Sequence, residues 1–289
     1  MVSSAITHVL GAVPTTTLPD GEPIPVLGQG TWHMAEDARR WQEEISALRV
    51  GIDLGLNLID TAEMYADGRA EELVGEAIAG RRDDVFLVSK VLPEHATKRG
   101  TVAACERSLR RIKTDRLDLY LLHWREDVPL EATLEGFEAL IRAGMIRHWG
   151  VSNFDVSDME ELERLPGGTS VATDQVLYNL TRRGIEWDLL PWCRARRIPV
   201  MAYSPIEQGR MLKHPVLRKI ATRHGVTPAQ VALAWLLRQE LLCAIPKAAT
   251  PEHVRENRAA LEVRLTDQDL AELDRAFPPP DGPRPLEML

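Results

Sequence analysis

The sequence predicts a single α/β domain over residues 1–289, folded as a closed (β/α)8 barrel with an N-terminal β-hairpin and an extra C-terminal helix. Short apolar runs that end in small or polar residues alternate eight times with amphipathic segments of helical spacing. No linker rich in Pro, Gly or Ser separates these units. The length of 289 residues fits one barrel of roughly 250 residues with additions.

The eight units follow one another along the chain, and each pairs a strand with a helix. The predicted strands cover residues 25–30, 58–60, 85–89, 117–122, 146–151, 171–176, 199–203 and 242–245. The predicted helices cover residues 38–55, 69–79, 101–112, 134–142, 157–164, 185–196, 228–239 and 251–260, with Gly80 as the C′ residue of the second. A longer insertion precedes the seventh helix. Because parallel strands need crossover helices, this order indicates a closed parallel barrel.

Two further elements lie outside the repeat. Asp20 and Gly21 stand between two short extended pieces in residues 17–24, which predicts a hairpin that plugs the N-terminal end of the barrel. Thr266 to Asp269 resembles a capping box with Asp in the acidic position, which predicts a helix over residues 269–276.

An open, doubly wound sheet is the alternative fold. Such a sheet usually carries a G-x-G-x-x-G phosphate loop after its first strand. Residues 28–33 (GQGTWH) lack the third glycine, so the barrel is favoured.

Composition argues against several classes of protein. The formal net charge of −8 does not favour a nucleic-acid surface. Cys105, Cys193 and Cys243 are widely spaced without a CxxC motif, so neither a disulfide framework nor a zinc site is expected. The chain shows neither a secretory signal nor an apolar stretch of about 18 residues. We therefore expect a cytoplasmic monomer without a metal or a membrane segment.

Four chemically active residues lie at or just beyond the ends of the second, third and fourth predicted strands. They are Asp60, Tyr65, Lys90 and His123. Each alone is typical of a cap, a solvated charge or a structural group. However, the carboxyl ends of barrel strands meet at one mouth, where barrel enzymes place their active sites. We expect Lys90, held by Asp60, to lower the pKa of the Tyr65 phenol, and His123 to orient a carbonyl oxygen.

The motifs that surround these residues resemble those of the aldo-keto reductases over roughly residues 15–280. They are residues 28–32 (GQGTW), 60–65 (DTAEMY), 119–124 (LYLLHW), 150–154 (GVSNF), 202–205 (AYSP) and 245–247 (IPK). In detail the chain is similar to bacterial members that reduce methylglyoxal and related small aldehydes. The resemblance implies NADPH-dependent reduction of small aldehydes or ketones, including aromatic aldehydes, with Tyr65 as the general acid, Asp60 and Lys90 tuning it and His123 orienting the substrate.

The resemblance also implies NADP(H) bound across the barrel mouth. Thr31 matches a cofactor contact, and Ser152, Asn153 and Gln175 match the hydrogen bonds to the nicotinamide amide. Tyr203 matches the ring that stacks on the nicotinamide, and Ser204 and Ile206 begin the pyrophosphate strap. At the adenosine end, Lys247 matches the 2′-phosphate contact, His253 stands at a second phosphate position, and Glu256 and Asn257 match the adenine contacts. Without the family, residues 152–153 are equally typical of a turn, and Tyr203 of the core.

The adenosine end departs from the family pattern. Ala248 replaces the common Ser after the lysine, and His253 replaces the common Arg. Since a histidine is charged only part of the time near neutral pH, NAD(H) use stays open. Arg255 or Arg258 is a candidate to supply the missing charge.

Trp32 and Trp124 are expected to flank the carbonyl site. Residues 125–129 form a short loop and only twelve residues follow Phe277, which predicts an open pocket for a small or poorly discriminated aldehyde.

Two other functions compete with the reductase. A cofactor-binding regulatory barrel resembling the potassium-channel β-subunits would turn over little, but those relatives carry Asn where this chain has His123. A metal-dependent barrel hydrolase needs clustered His and carboxylate ligands, and the chain has no HxH motif.

Overall fold

The computed structural model describes residues 11–289, and the first element in this range is an antiparallel hairpin. Strand β1 (Thr15–Thr17) pairs with strand β2 (Pro23–Pro25), and Gly21 takes a φ of +93° in the turn between them. Leu18 and Ile24 are buried against side chains from the barrel strands, among them Leu58. The predicted plug is therefore confirmed.

Eight parallel strands follow, and each neighbours the next one in the chain. They are β3 (Gln29–Gly30), β4 (Leu58–Asp60), β5 (Phe86–Val91), β6 (Leu117–Leu122), β7 (Ile146–Ser152), β8 (Asp174–Leu177), β9 (Val200–Tyr203) and β10 (Leu242–Ala244). Parallel bridges between Leu27 and Ala244 and between Gly30 and Lys247 join the last strand to the first. The predicted barrel is confirmed.

Ten helices surround the barrel in the described residues. They are α1 (Trp41–Asp53), α2 (Arg69–Ala77), α3 (Lys98–Ile112), α4 (Leu130–Arg142), α5 (Val156–Arg164), α6 (Leu189–Ala195), α7 (Pro215–His224), α8 (Pro228–Leu237), α9 (Pro251–Ala259) and α10 (Asp267–Ala276). Their apolar faces pack on the outside of the strands in one large buried cluster. The capping boxes at Thr227 and Thr266 explain why α8 and α10 begin where they do.

Many predicted boundaries differ from the structure by one to four residues, and three of these differences are informative. Pro25 belongs to the hairpin, so the first barrel strand is shorter than residues 25–30. The sixth strand begins at Asp174, because residues 168–170 form a 3-10 turn that delays it. Helix α2 ends at Ala77, although Gly80 does take a left-handed φ of +77°.

No helix in residues 11–289 is both long and apolar enough to cross a membrane.

Candidate active site

The side chain of Lys90 is the centre of the site. It lies near the end of β5, has no solvent exposure, and its Nζ donates to Asp60 Oδ2 at 2.8 Å, to the Thr61 carbonyl at 2.8 Å and to Tyr65 Oη at 3.2 Å. A buried ammonium is tolerated only when oxygen atoms replace its water. These three acceptors therefore hold the amine directly beside the phenol.

Asp60 ends β4 and has both carboxylate oxygens occupied. One oxygen accepts from Lys90, and Oδ1 accepts from Gln175 Nε2 at 2.8 Å. The main-chain carbonyl of Asp60 also accepts from the hydroxyl of Thr31 at 3.0 Å. Asp60 thus links three strand ends at the mouth of the barrel.

Tyr65 lies in a strained loop. Ala66 and Asp67, which follow it, take φ values of +49° and +55°. Left-handed conformations of such residues cost of order 1 kcal/mol each, so contacts elsewhere must hold the loop. Buried Glu63 is one such contact, because its carboxylate accepts from the Leu92 amide at 2.9 Å and from Arg107 at 3.2 Å.

Glu63 was not among the predicted site residues. It is part of the DTAEMY motif, but its partners lie about 30 to 45 residues further along the chain and no local spacing reveals them. Motif membership was the only available signal.

His123 faces Tyr65 across the mouth. The two ring centroids are 5.8 Å apart with the rings nearly perpendicular. Burial, reinforced by the positive charge of Lys90, holds the pKa of His123 well below its ordinary value. The Nδ1 atom has no hydrogen-bond partner within the described residues. The imidazole is therefore neutral near pH 7 and can donate one hydrogen bond to a bound oxygen.

The expectation that Lys90 lowers the pKa of Tyr65 is wrong for the resting site. Burial, and after it the negative charge of Asp60, hold this pKa well above 10. Burial also lowers the pKa of Lys90, while Asp60 raises it. The sequence motif does not reveal how strongly the fold excludes water. Tyr65 therefore keeps its proton near neutral pH, as a proton donor must.

A second group of polar residues lies beside the four catalytic candidates. Ser152 Oγ donates to the Gln175 carbonyl at 2.7 Å, and Asn153 Nδ2 donates to the His123 carbonyl at 3.1 Å. The hydroxyl of Tyr203 donates to Asn153 Oδ1 at 2.9 Å. These bonds fix the ends of β7, β8 and β9 relative to His123.

A cavity of about 620 Å³ opens above these residues. Tyr65 and His123 line it, Trp32 and Trp124 form walls, and it extends past the loop after β9 to Lys247. Of the predicted cofactor residues, Ser152, Asn153, Gln175, Tyr203, Ser204, Ile206 and Lys247 line the cavity. Among the described residues, Thr31, His253, Glu256 and Asn257 do not.

The C-terminal tail also reaches this cavity, which the sequence did not indicate. Met288 and Leu289 line its wall, and Glu287 pairs with Arg182 at 2.5 Å. Twelve residues after Phe277 are enough to return to the mouth, so the pocket is more enclosed than the short tail predicted.

Glu207, another residue that the sequence did not reveal, fixes the loop after β9. Glu207 is buried and accepts from Asn179 Nδ2 at 2.8 Å and from Arg182 at 3.1 Å. This carboxylate fixes the segment in which Ser204 and Ile206 line the cavity.

Comparison with known proteins decides the family. The model of the aldo/keto reductase family matches residues 26–277. The chain is an aldo-keto reductase. This confirms the resemblance and places the protein among the oxidoreductases.

Similar proteins cover nearly the whole of this aldo-keto reductase. Methylglyoxal reductase YeaE of Escherichia coli is 55% identical over 271 residues, which span 92% of this chain and 95% of the relative. Glyoxal reductase of Bacillus subtilis is 33% identical over 281 residues, covering 95% and 97% of the two chains.

Two solved structures have nearly the same fold. An aldo/keto reductase from Klebsiella pneumoniae, in complex with NADP and acetate, is 52% identical with a TM-score of 0.93 and covers 95% of this chain and 99% of its own. An aldo-keto reductase from Klebsiella pneumoniae in complex with NADPH is 52% identical with a TM-score of 0.94, covering 96% and 100%.

Proposed function

We propose that this aldo-keto reductase uses NADPH to reduce small aldehydes such as methylglyoxal to alcohols, with Tyr65 as the proton donor. The observation that carries the proposal is the position of Lys90, whose ammonium lies 3.2 Å from the Tyr65 hydroxyl and 2.8 Å from Asp60. The names of the reductase relatives and the cofactors of the Klebsiella structures support the substrate class and the cofactor.

The residues at the mouth fit a nicotinamide. Asn153 and Gln175 offer amide groups that complement a carboxamide, and the Tyr203 ring lies at the cavity wall with its hydroxyl tethered to Asn153. An aromatic ring held in this way can stack on a flat heterocycle. When bound, the cofactor supplies the hydride to the carbonyl carbon.

Tyr65 completes the reaction at the carbonyl oxygen. As the carbon gains the hydride, the oxygen becomes negative and takes the phenolic proton, which gives the alcohol and leaves a phenolate. The Lys90 ammonium stabilises that phenolate, and Asp60 keeps the ammonium in place. Neutral His123 donates a hydrogen bond to the same oxygen, which orients it toward Tyr65.

The cavity favours a small substrate. Its volume of about 620 Å³ has to hold the nicotinamide as well as the aldehyde, and Trp32, Trp124, Met288 and Leu289 narrow it. Apolar and aromatic walls accept an uncharged carbonyl compound. We expect methylglyoxal to be used well, and aromatic aldehydes to be used if one ring fits between the tryptophans.

An assay of NADPH oxidation tests this function. The wild-type protein is supplied with NADPH and, in turn, methylglyoxal and substituted benzaldehydes, and the loss of NADPH is matched to alcohol formed. We expect one alcohol per NADPH. Inactivity on every aldehyde, with NADPH still bound tightly, would instead favour the cofactor-binding regulatory barrel. The His123→Asn variant, which carries the residue found in those regulatory relatives, serves as the comparison.

We also expect the enzyme to be monomeric and to lie in the reducing cytoplasm. Cys105, Cys193 and Cys243 are all buried and form no disulfide in the part of the chain that the structure describes. Burial raises the pKa of the Cys105 thiol to about 12, so this cysteine is unreactive. Light scattering of the purified protein checks the oligomeric state.

A further inference from the structure

The loop after β10 carries Lys247 at the edge of the cavity, and the first turn of α9, with Glu252 and His253, follows it outside the cavity lining. Lys247 lines the cavity and is exposed, and the bridge between Gly30 and Lys247 fixes its main chain. Thr250 caps α9, and exposed His253 lies in the first turn with its amide bonded to the Thr250 hydroxyl. An anion that lies here meets the positive charge of Lys247, while the acidic Glu252 lies in the same turn as His253.

Arg40 reaches this segment from a distant part of the chain. It ends a short 3-10 turn just before α1, and its Nη2 lies 3.5 Å from the Ala249 carbonyl, two residues after Lys247. Its Nε donates to Glu43 at 2.9 Å, and the side chain keeps 41% of its exposure. The guanidinium is thus held beside the loop by one carboxylate while its other N–H groups remain able to bind an anion.

Two other arginines near this loop, Arg258 and Arg39, differ from Arg40 in their exposure and in their hydrogen-bond partners. Arg258 has 1% exposure, and its guanidinium donates to the carbonyls of Leu54 and Gly11 and to Glu262. Its N–H groups are therefore used by acceptors within the protein. This removes Arg258 as a candidate to replace the family arginine. Arg39 is 90% exposed and is paired with Asp37 at 2.8 Å.

We propose that Arg40, together with Lys247, binds the 2′-phosphate of NADP(H) and sets the preference of this enzyme for NADPH over NADH. The inference rests on the proposed function, since it assigns a residue to the cofactor named there. A guanidinium forms charge-assisted, often bidentate hydrogen bonds to phosphate oxygens. Arg40 supplies a permanent positive charge in addition to that of Lys247, and it comes from the loop after β3 instead of from α9.

Direct binding measurements test this assignment without turnover. The affinities of the full-length wild type and the Arg40→Gln variant are measured calorimetrically for NADPH, NADH, 2′,5′-ADP and 5′-ADP. We expect Arg40→Gln to weaken NADPH and 2′,5′-ADP by about tenfold or more, the loss typical of one charge-assisted hydrogen bond. NADH and 5′-ADP, which lack the 2′-phosphate, should bind as before.

Two matched variants serve as controls. Arg39→Gln removes the neighbouring charge, and Arg255→Gln removes the exposed arginine of α9. Both should leave the NADPH affinity within about twofold of the wild type. The assignment is overturned if Arg40→Gln leaves NADPH binding unchanged, weakens NADPH and NADH equally, or if Arg255→Gln causes the selective loss. A wild type that binds no NADPH defeats the proposed function as well, and the two failures are thus distinguishable.

Discussion

The Lys90 ammonium is the centre of the candidate site at the scale of single residues. Three oxygen atoms from Asp60, Thr61 and Tyr65 surround it, and none of its surface reaches solvent. Because the Tyr65 phenol has a raised pKa, the ammonium does not ionise the phenol beforehand. In the proposed reaction it stabilises the charge that appears when the proton leaves.

Substitutions of Lys90 and Asp60 should have non-additive effects on the free energy of unfolding, because the two side chains form a buried ion pair. Lys90→Met leaves a buried carboxylate without its counter-ion, so we expect the free energy of unfolding to fall by about 3–5 kcal/mol. Asp60→Asn in the same chain removes that charge and should recover part of the loss. Urea unfolding of the four proteins of the cycle measures the coupling. Additive effects of the two substitutions would show that the pair does not act as an ion pair.

The positions of the four catalytic candidates could be predicted, but their proton affinities could not. Asp60, Lys90 and His123 converge because parallel strands place their carboxyl ends at one mouth, and that follows from the order of apolar runs. The raised pKa of Tyr65 depends on how completely the fold excludes water. Long-range contacts such as that between Arg40 and Ala249, 209 residues apart, also leave no mark in local spacing.

Among the elements, α10 shows how a local signal decides a boundary. Thr266 and Asp269 form the capping box that the sequence predicts, and Asp269 also accepts from His224 Nε2 at 2.8 Å. Burial raises the pKa of Asp269, but the hydrogen bonds from Thr266 and His224 outweigh it and lower the pKa to about 2. The charged carboxylate therefore stabilises the fold.

Asp269→Asn should weaken the attachment of α10. We expect the free energy of unfolding to fall by about 1–3 kcal/mol near pH 7, because the charge-assisted hydrogen bonds from Thr266 and His224 to the carboxylate are weakened, although Thr266 still caps the helix. Since the folded pKa lies below the unfolded one, near 3.9, the wild-type advantage is complete above that value and disappears as the pH falls toward about 2.

Chemical unfolding of both proteins at several pH values measures this difference. Asp267→Asn, at an exposed position two residues earlier, is the control and should change stability by less than about 0.5 kcal/mol. A wild-type advantage that does not depend on pH would show that the Asp269 charge contributes nothing.

Helix α7 is an element that the sequence did not predict. Leu217, Ile220 and Ala221 form its buried face at helical spacing, yet the predicted elements contain only an insertion there. The preceding segment is a 3-10 stretch interrupted by left-handed Gln208 and Gly209, so no strand introduces the helix as in the other units. In contrast, β6 matches its prediction at both ends, because all six of its residues are buried and all but Asp118 are hydrophobic.

At the scale of the whole molecule, the two ends of the barrel are closed by parts of the chain outside the repeat. The hairpin of β1 and β2 fills the N-terminal end with Leu18 and Ile24. The C-terminal tail crosses toward the mouth, where Arg182 holds Glu287 and the last two residues line the cavity. One end is a structural plug, and the other adjoins the candidate active site.

Removal of Met288 and Leu289 should widen the substrate range. These residues are half-exposed at the cavity wall and carry little of the core, so we expect unchanged stability. The ratio of kcat/KM for a bulky aromatic aldehyde to that for methylglyoxal should rise roughly three- to tenfold, the discrimination typical of a few apolar contacts. Ile141→Ala, an exposed apolar position on α4, is the control. An unchanged ratio would show that the tail does not limit the pocket.

The central claim is that the Tyr65 phenol delivers the proton to the carbonyl oxygen. The most direct test is single-turnover oxidation of bound NADPH by methylglyoxal in the wild type and in Tyr65→Phe, with NADPH affinity measured in both. We predict that the variant binds NADPH as the wild type does but reacts about 100-fold or more slowly, because it has lost its general acid. A variant that reacts within about threefold of the wild type would contradict the claim.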